Sequence, residues 1–343
     1  MALTQAVIDN IANAAIDYAW EKGKTFAQHI TAKPLLDAFM GNKKTFPGGK
    51  GAITVRPIFQ TFSSIQGFNS DDTLTFVNPT PIKVASYNWK MLHLGLTMTT
   101  DELLHDGISI VDTNGAQTSE HSSRDVTMLA NILQTKLEDA AEGWAAGFND
   151  ILWRDGTQSA KVFPGIPYFL ADDPTVGIVG GIDRATQPLW RNLAQLGIVS
   201  DPATQALTVA LRKSVRMLTK YGSPKLKILC GSAFMDALEL EYAAKGVYTQ
   251  TGFSSGGDIG VGKLSLLGIG TFEYDPTLDA AGKSKYCYMI DMSKFKLMPI
   301  EGEDMKKHYP SRPFDKMVIY RSWTWAGGLA AKQLNTSAVF TVA

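Results

Sequence analysis

The sequence has no run approaching the roughly 20 consecutive apolar residues that a membrane-spanning helix requires, so a helical membrane protein is excluded and a soluble chain is expected. It has no excess of charge of either sign: 33 lysines and arginines balance 33 aspartates and glutamates. No overall field draws such a chain to nucleic acid or to an anionic membrane, and any contact with DNA must be local and weak. Charge is scarce altogether, at 19% of residues, against about 25% in ordinary soluble domains. Interface cores are depleted of charge in the same way, so much of this surface is expected to face other copies of itself. Only two cysteines occur, Cys230 and Cys287. They are far apart in the sequence and share no metal-ligand spacing, which predicts free thiols in a reducing cytoplasm. The opening residues 1–21 are amphipathic, carry Asp9, Asn10 and Asp17, and have neither a basic start nor a small-residue cleavage site. That excludes a signal peptide and predicts cytoplasmic synthesis.

What is present is a long succession of elements. At 343 residues the chain exceeds one compact core, so two subdomains or a large elongated fold are expected. Val7, Ile11, Ala15 and Tyr18 recur at helical spacing and stop before Gly23, and a short helix follows at 34–40. Glycines and lysines then break the pattern, and residues 52–62 alternate as a strand. Residues 63–72 read as a turn and 73–77 as the returning arm of a hairpin. The outgoing arm would span about 35 Å at about 3.3 Å per residue. A two-stranded hairpin is marginal alone in water, so this one needs a surface outside its own fold.

Beyond Pro79 and Pro81, Ala85, Tyr87, Trp89 and Met91 share one strand face, and Leu92, Leu94, Leu96 and Met98 share another, which implies a bulge or bend near Met91. A turn of helix is expected near 100–105. The strongest helical signal runs from 123 to 153, with Val126, Ala130, Leu133, Leu137, Ala141, Trp144 and Phe148 on one stripe and Ser122 and Asp125 as a capping box. Such a helix is about 45 Å long and acts as a spine. Loops rich in glycine and proline follow to Arg191, then alternating helices and strands: a helix from Asp201-Pro202 to Gly222, a strand at 225–230, and a helix at 232–245. A glycine-rich loop at 252–262 leads to strands near 264–274, 285–291 and 294–298. From Met317 onward the pattern is sheet. The fold class is α+β.

Motifs of enzymatic chemistry come close without completing. Gly257, Gly262 and Lys263 have the spacing of a phosphate-binding loop, but Leu264 stands where a hydroxyl would hold magnesium, and a strand follows where a helix is needed. Gly252-Phe253-Ser254-Ser255-Gly256 matches a hydrolase nucleophile elbow, but it runs into more glycine. Its only downstream base, His308, lies among Glu301, Glu303, Asp304, Lys306 and Lys307. The other histidines, His29, His93, His105 and His121, show no metal-binding spacing. Asp71-Asp72 and Asp172-Asp173 sit in turn contexts that suit backbone capping. Tyr320, Trp323 and Trp325 beside Arg321 could stack on bases, but their spacing better suits a packed sheet. No enzyme, cofactor or metal is expected.

Leu152-Trp153-Arg154-Asp155-Gly156-Thr157, then Pro164-Gly165-Ile166, Gly180-Gly181-Ile182-Asp183-Arg184 and Trp190-Arg191-Asn192 give the chain a recognisable texture. It resembles the major capsid proteins of tailed bacteriophages, and the resemblance covers essentially the whole chain in element order. It implies the Hong Kong 97 phage fold: an N-terminal arm over 1–48, an extended hairpin loop over 50–80, a peripheral domain over 81–159 and 290–343 with the spine helix, and an axial α/β domain over 160–289. On that carry-over Arg56, Ile58, Phe59, Phe62, Phe68, Asp71, Asp72, Leu74 and Phe76 of the extended loop contact neighbouring subunits. Glu301, Glu303, Asp304, Lys306, Lys307 and Arg312 form a charged hairpin loop where capsomers meet. Phe253, Ser254 and Asp258 lie on a loop pointing at the capsomer axis.

The implied partners are copies of the chain itself, as hexamers and pentamers of an icosahedral head. A portal, a decoration protein and packaged double-stranded DNA held by weak local contacts complete the set, and no membrane is involved. The arm starts at Met1, so a separate scaffolding protein is expected in place of a fused one. Two alternatives stand beside this: a nanocompartment shell protein of the same fold, and a hydrolase or nucleotide-binding enzyme using the loop from Gly252 to Lys263.

Overall fold

The computed structural model describes residues 31–49, 51–59, 65–74, 76, 83–99, 123–244, 265–266, 270–308 and 318–343. The expected helices at 7–18 and 100–105, the capping residue Ser122 and the glycine loop at 252–262 lie outside them. In chain order the elements are α1 (Pro34–Met40), β1 (Ala52–Val55), β2 (Ala85–Asn88), β3 (Lys90–Thr99), α2 (Ser123–Leu152), α3 (Ile166–Phe169), β4 (Ile178–Val179) and β5 (Ile182–Asp183). Next come β6 (Leu193–Ile198), α4 (Ala206–Thr219), β7 (Leu226–Cys230), α5 (Ser232–Ala244), β8 (Ser265–Leu266), β9 (Gly270–Tyr274) and α6 (Pro276–Ala280). The chain ends with β10 (Tyr286–Asp291), β11 (Phe295–Pro299), β12 (Lys306–His308), β13 (Val318–Ala331) and β14 (Ala338–Val342).

Two compact units result, and the chain passes between them inside α2, after Phe148, and inside β13, after Ala326. The first unit holds β3 from Met91, α2 as far as Phe148, β12 and the beginning of β13. Here β12 pairs antiparallel with β13, placing Lys306 opposite Thr324 and His308 opposite Ser322, and β3 pairs with β13 as well. Trp323 is buried under Leu94, Leu96 and Met305. Phe148 meets Trp325 edge-on at 5.0 Å and Trp144 of its own helix at a tilt at 5.8 Å, so the end of the spine helix anchors through the Phe148–Trp325 edge contact.

The second unit is built on a six-stranded sheet of order β6-β14-β10-β7-β9-β8. Its central strands are apolar on both faces: Ile228, Leu229, Cys287, Met289, Ile290, Val339 and Phe340 are all fully buried. Continuous apolar runs of this kind belong to strands covered on both sides. Helix α4 covers one face with Leu207, Leu211, Val215 and Leu218, a four-four-three spacing, beside Phe234 and Leu238 of α5. Each such side chain contributes about 1.5–3 kcal/mol on burial.

Helix α4 begins later than Asp201-Pro202 suggests, because Asp201 caps a preceding turn through Ala203 N–H and the Thr204 hydroxyl. Its first amides are held instead by the buried carboxylate of Glu241, reaching over from α5. Oε1 accepts from Leu207 N–H at 2.9 Å, and Oε2 accepts from Thr208 N–H at 2.8 Å. A negative charge at a helix N-terminus satisfies orphan donors and meets the positive end of the dipole.

The segment that carries the family texture has little regular structure and is held by side chain to backbone bonds. Trp190 Nε1 donates to Val179 O at 3.1 Å, Arg191 Nε to Arg184 O at 2.7 Å, and Asn192 exchanges two bonds with Ala171. The buried Arg184 guanidinium donates to Phe169 O. Gly165 has no alternative: a Cβ there would stand 2.2 Å from Leu152 O and 2.5 Å from Ile151 O at the end of α2. Trp153, just beyond that end, donates its indole N–H to Asp275 at 2.9 Å, and Asp275 caps α6 through Thr277 N–H.

Two further expectations are corrected, and the expected free thiols of Cys230 and Cys287 are found. The region 264–274 is a hairpin of β8 and β9, not one strand, because Gly270 lets the chain approach Leu226 O and Ile228 closely. The charged segment from Glu301 includes strand β12, whose backbone completes the edge of β13. The two cysteines, remote in sequence, are direct cross-strand partners on β7 and β10, both fully buried and both free thiols. Burial first, and then each other's company, push the Cys230 thiol well above the usual thiol range.

Candidate assembly surface

The hairpin expected between 52–62 and 73–77 closes differently. Strand β1 pairs antiparallel with β2, Ala52 opposite Asn88 and Val55 opposite Ala85, and Lys83 N–H continues the ladder to Pro57 O. Thr73 and Leu74 belong to no strand. Burial decides the register: Ile53, Ala85 and Tyr87 turn inward together, whereas Thr73, Leu74 and Phe76 are all exposed. Tyr87 donates its hydroxyl to Ala331 O, and Gly180, at φ +62°, accepts from Ser86 N–H while lying against the Tyr87 ring.

Among the described residues between these arms none belongs to a named strand, and most of the large apolar side chains face outward. Phe76 is 91% exposed, Ile58 65% and Phe68 62%, and Ile65 and Leu74 are exposed too. Phe59 differs, packing edge-on against Trp190 of its own chain at 5.6 Å. Phe62 lies outside the described residues. The tip is a tight turn: Asp72 N–H donates to Asn69 O at 2.9 Å, the Asp72 carboxylate accepts from Asn69 N–H at 2.8 Å, and Gln66 donates to Thr73 O at 3.2 Å. Asp71 and Asp72 both project into solvent. Solitary exposed apolar residues are ordinary, but a concentration of this kind marks a contact surface.

At the root of the loop lies a recess of about 370 Å³ lined by Lys44, Arg56, Lys296 and Lys332 with Val55 and Met298 between them. Lys296 donates to the Asn42 side chain. Burial first, then Lys332, Lys44 and Lys225, depress the Lys296 ammonium pKa. Asp291 acts on it in the opposite direction; its Oδ1 accepts from Lys225 N–H and from Ser293, while its Oδ2 is buried with no hydrogen-bond partner among the described residues. Among the described residues none of the four lining cations has a carboxylate within ion-pair distance. Sequence reasoning found Arg56 and missed the three lysines, which the fold assembles from three distant segments.

Of the charged segment, Glu303 and Lys306 form an exposed ion pair with each other, Glu303 O accepts from Ala326 N–H, and His308 bonds the Thr324 hydroxyl at 2.7 Å. Asp304 is exposed and Lys307 half-buried. Glu301, in the second unit, is exposed and donates its N–H to Phe46 O. Arg312, Phe253, Ser254 and Asp258 lie outside the described residues, as do both glycine-rich enzyme-like motifs. Among the described residues no helix is long and apolar enough to cross a membrane, and no three His, Cys, Asp or Glu side chains gather as for a metal ion.

No protein-family model and no curated protein matches the chain. Solved structures do. The capsid asymmetric unit of cyanophage A-1(L) superposes over 93% of this chain and 95% of its own, with a TM-score of 0.65 at 15% identity. The fold is that of phage capsid proteins. The capsid of the native GTA particle agrees at a TM-score of 0.56, 11% identity and 93% coverage of both chains. That of cyanophage P-SCSP1u agrees at 0.54 and 10% identity, over 94% of this chain and 91% of its own. Among the described residues the exposed part of the loop and the basic recess at its root are two surfaces whose side chains lack partners of opposite charge or apolar cover within the chain.

Proposed function

We propose that this chain is the major capsid protein of a tailed phage, assembling with copies of itself as hexamers and pentamers into an icosahedral head around double-stranded DNA. The observation that carries the reading is the capsid fold spanning 93% of the chain, and the exposed apolar loop supports it. The sheet core is closed by folding, whereas this loop leaves several large apolar side chains together in solvent, where a second copy can cover them. Burying Ile58, Phe68, Leu74 and Phe76 against a neighbour offers about 1.5–3 kcal/mol each, repeated at every subunit.

In this reading residues 1–48 act as an arm, the 301–312 segment meets neighbouring capsomers, and the loop with Phe253, Ser254 and Asp258 faces the capsomer axis. Assembly takes place in the host cytoplasm with a separate scaffolding protein and a portal, and a decoration protein can bind outside. The overall neutrality of the chain suits an inner wall that holds DNA weakly.

The test is electron microscopy of the purified protein. Closed icosahedral particles or capsomers are expected. A monodisperse monomer at every salt concentration tried would overturn the reading, and particles enclosing a protein cargo without nucleic acid would redirect it to a nanocompartment.

A further inference from the structure

Four cations gather around the recess at the loop's root without a carboxylate in ion-pair distance among the described residues, although the chain as a whole is neutral. Like charges converge in this way at a cost unless an anion completes them. The chain displays a matching group at the loop tip. Asp71 and Asp72 are adjacent and exposed, with no cation within ion-pair distance among the described residues, and Phe68, Leu74 and Phe76 flank them. Tip and recess match in charge and also in apolar character, since Val55 and Met298 lie between the recess cations. The tip does not occupy the recess of its own chain, for no residue of 65–76 lines it.

We propose that the recess of Lys44, Arg56, Lys296 and Lys332 receives the Asp71 and Asp72 tip from the extended loop of a second copy. This docking rests on the shell reading above and names the residues through which neighbouring subunits join. Duplex DNA is the less fitting occupant. Its backbone carries one charge about every 1.7 Å along the axis, which calls for an extended stripe of cations and not for four confined to one recess of side-chain size.

Charge exchange provides the test. One variant carries Asp71→Lys and Asp72→Lys, a second carries Arg56→Glu and Lys332→Glu, and a third carries all four changes. All substituted residues are exposed, and circular dichroism melting of unassembled protein checks that each folds. Either pair alone is expected to reduce the yield of closed particles at least about tenfold, as loss of close interfacial charge pairs does. The fourfold variant is expected to recover most of that yield. A fourfold variant no better than its parents, or either pair assembling as the unaltered protein does, would overturn the docking alone. Normal particles from the recess variant that have lost their DNA would assign the recess to phosphates and overturn it too. If the unaltered protein builds no particles, the shell reading and the docking fall together.

Discussion

The six-stranded sheet and the extended loop belong to the same compact unit, and both are rich in large apolar residues. Phe340, in the terminal strand β14, is fully buried between β6 and β10, whereas Phe76, in the loop, is 91% exposed. Polar groups divide likewise. Glu241 inside the sheet unit accepts bonds from Leu207, Thr208, Asp201 and Ser200, whereas Asp71 at the loop tip faces only solvent. A side chain's chemistry therefore does not say whether it serves folding or association. What separates the two is whether the chain itself supplies the partner.

The contrast breaks most sharply if the loop is removed. Replacing residues 56–84 by Asn-Gly joins Val55 to Ala85, which already stand directly opposite each other, through the dipeptide that favours a tight hairpin turn. The expected protein is soluble, melts cooperatively with nearly unchanged circular dichroism, and forms no closed particles. Normal particles would remove the loop from assembly.

A smaller and more graded effect compares single phenylalanines. Phe340→Ala is expected to cost about 3–5 kcal/mol of subunit stability, and Phe68→Ala to change it by less than about 0.5 kcal/mol, both read from denaturant unfolding of unassembled protein. Equal costs at the two sites would show that the loop folds onto its own chain.

The smallest effect concerns acid. Asp155 accepts the N–H and hydroxyl of Thr157 at 3.0 and 2.7 Å, and these bonds, the backbone one first, hold its carboxyl below the ordinary 3.8. A depressed carboxyl stabilises the fold above its unfolded pKa, and that contribution is lost as pH falls through the folded value. Thr157→Val should therefore cost about 0.5 kcal/mol or less at neutral pH, since solvent screens so exposed a pair. The difference from the unaltered protein should shrink below pH 3.8 in thermal melts.

Much of this was legible beforehand. The helix at 34–40, the alternation at β2 and β3 and the strand and helix succession after 206 follow from apolar periods that the structure uses directly, and the spine helix begins at 123 as its period predicts. The loop was readable as a feature needing an outside surface, but its returning arm was misplaced. Strand propensity at 73–77 is local, whereas the register is set by what Ile53, Ala85 and Tyr87 bury. The recess was illegible for a related reason: Lys44, Arg56, Lys296 and Lys332 come from three separate segments, and no spacing rule connects them. The pairing of Cys230 with Cys287 is of the same kind, since it follows from strand order, which the sequence does not display.

The loop's attachment at directly opposed residues has a consequence for variation. Val55 and Ala85 stay one cross-strand step apart whatever connects them, and the entropy of closing a connection grows only slowly, by about 0.6 kcal/mol for each doubling of its length. Insertions, deletions and exchanges of chemistry in the loop beyond Phe59, whose ring packs on Trp190, are therefore almost invisible to the folded body. Chains of this fold can diverge at this position while keeping the same scaffold, and a foreign peptide grafted there would be displayed without cost to the fold.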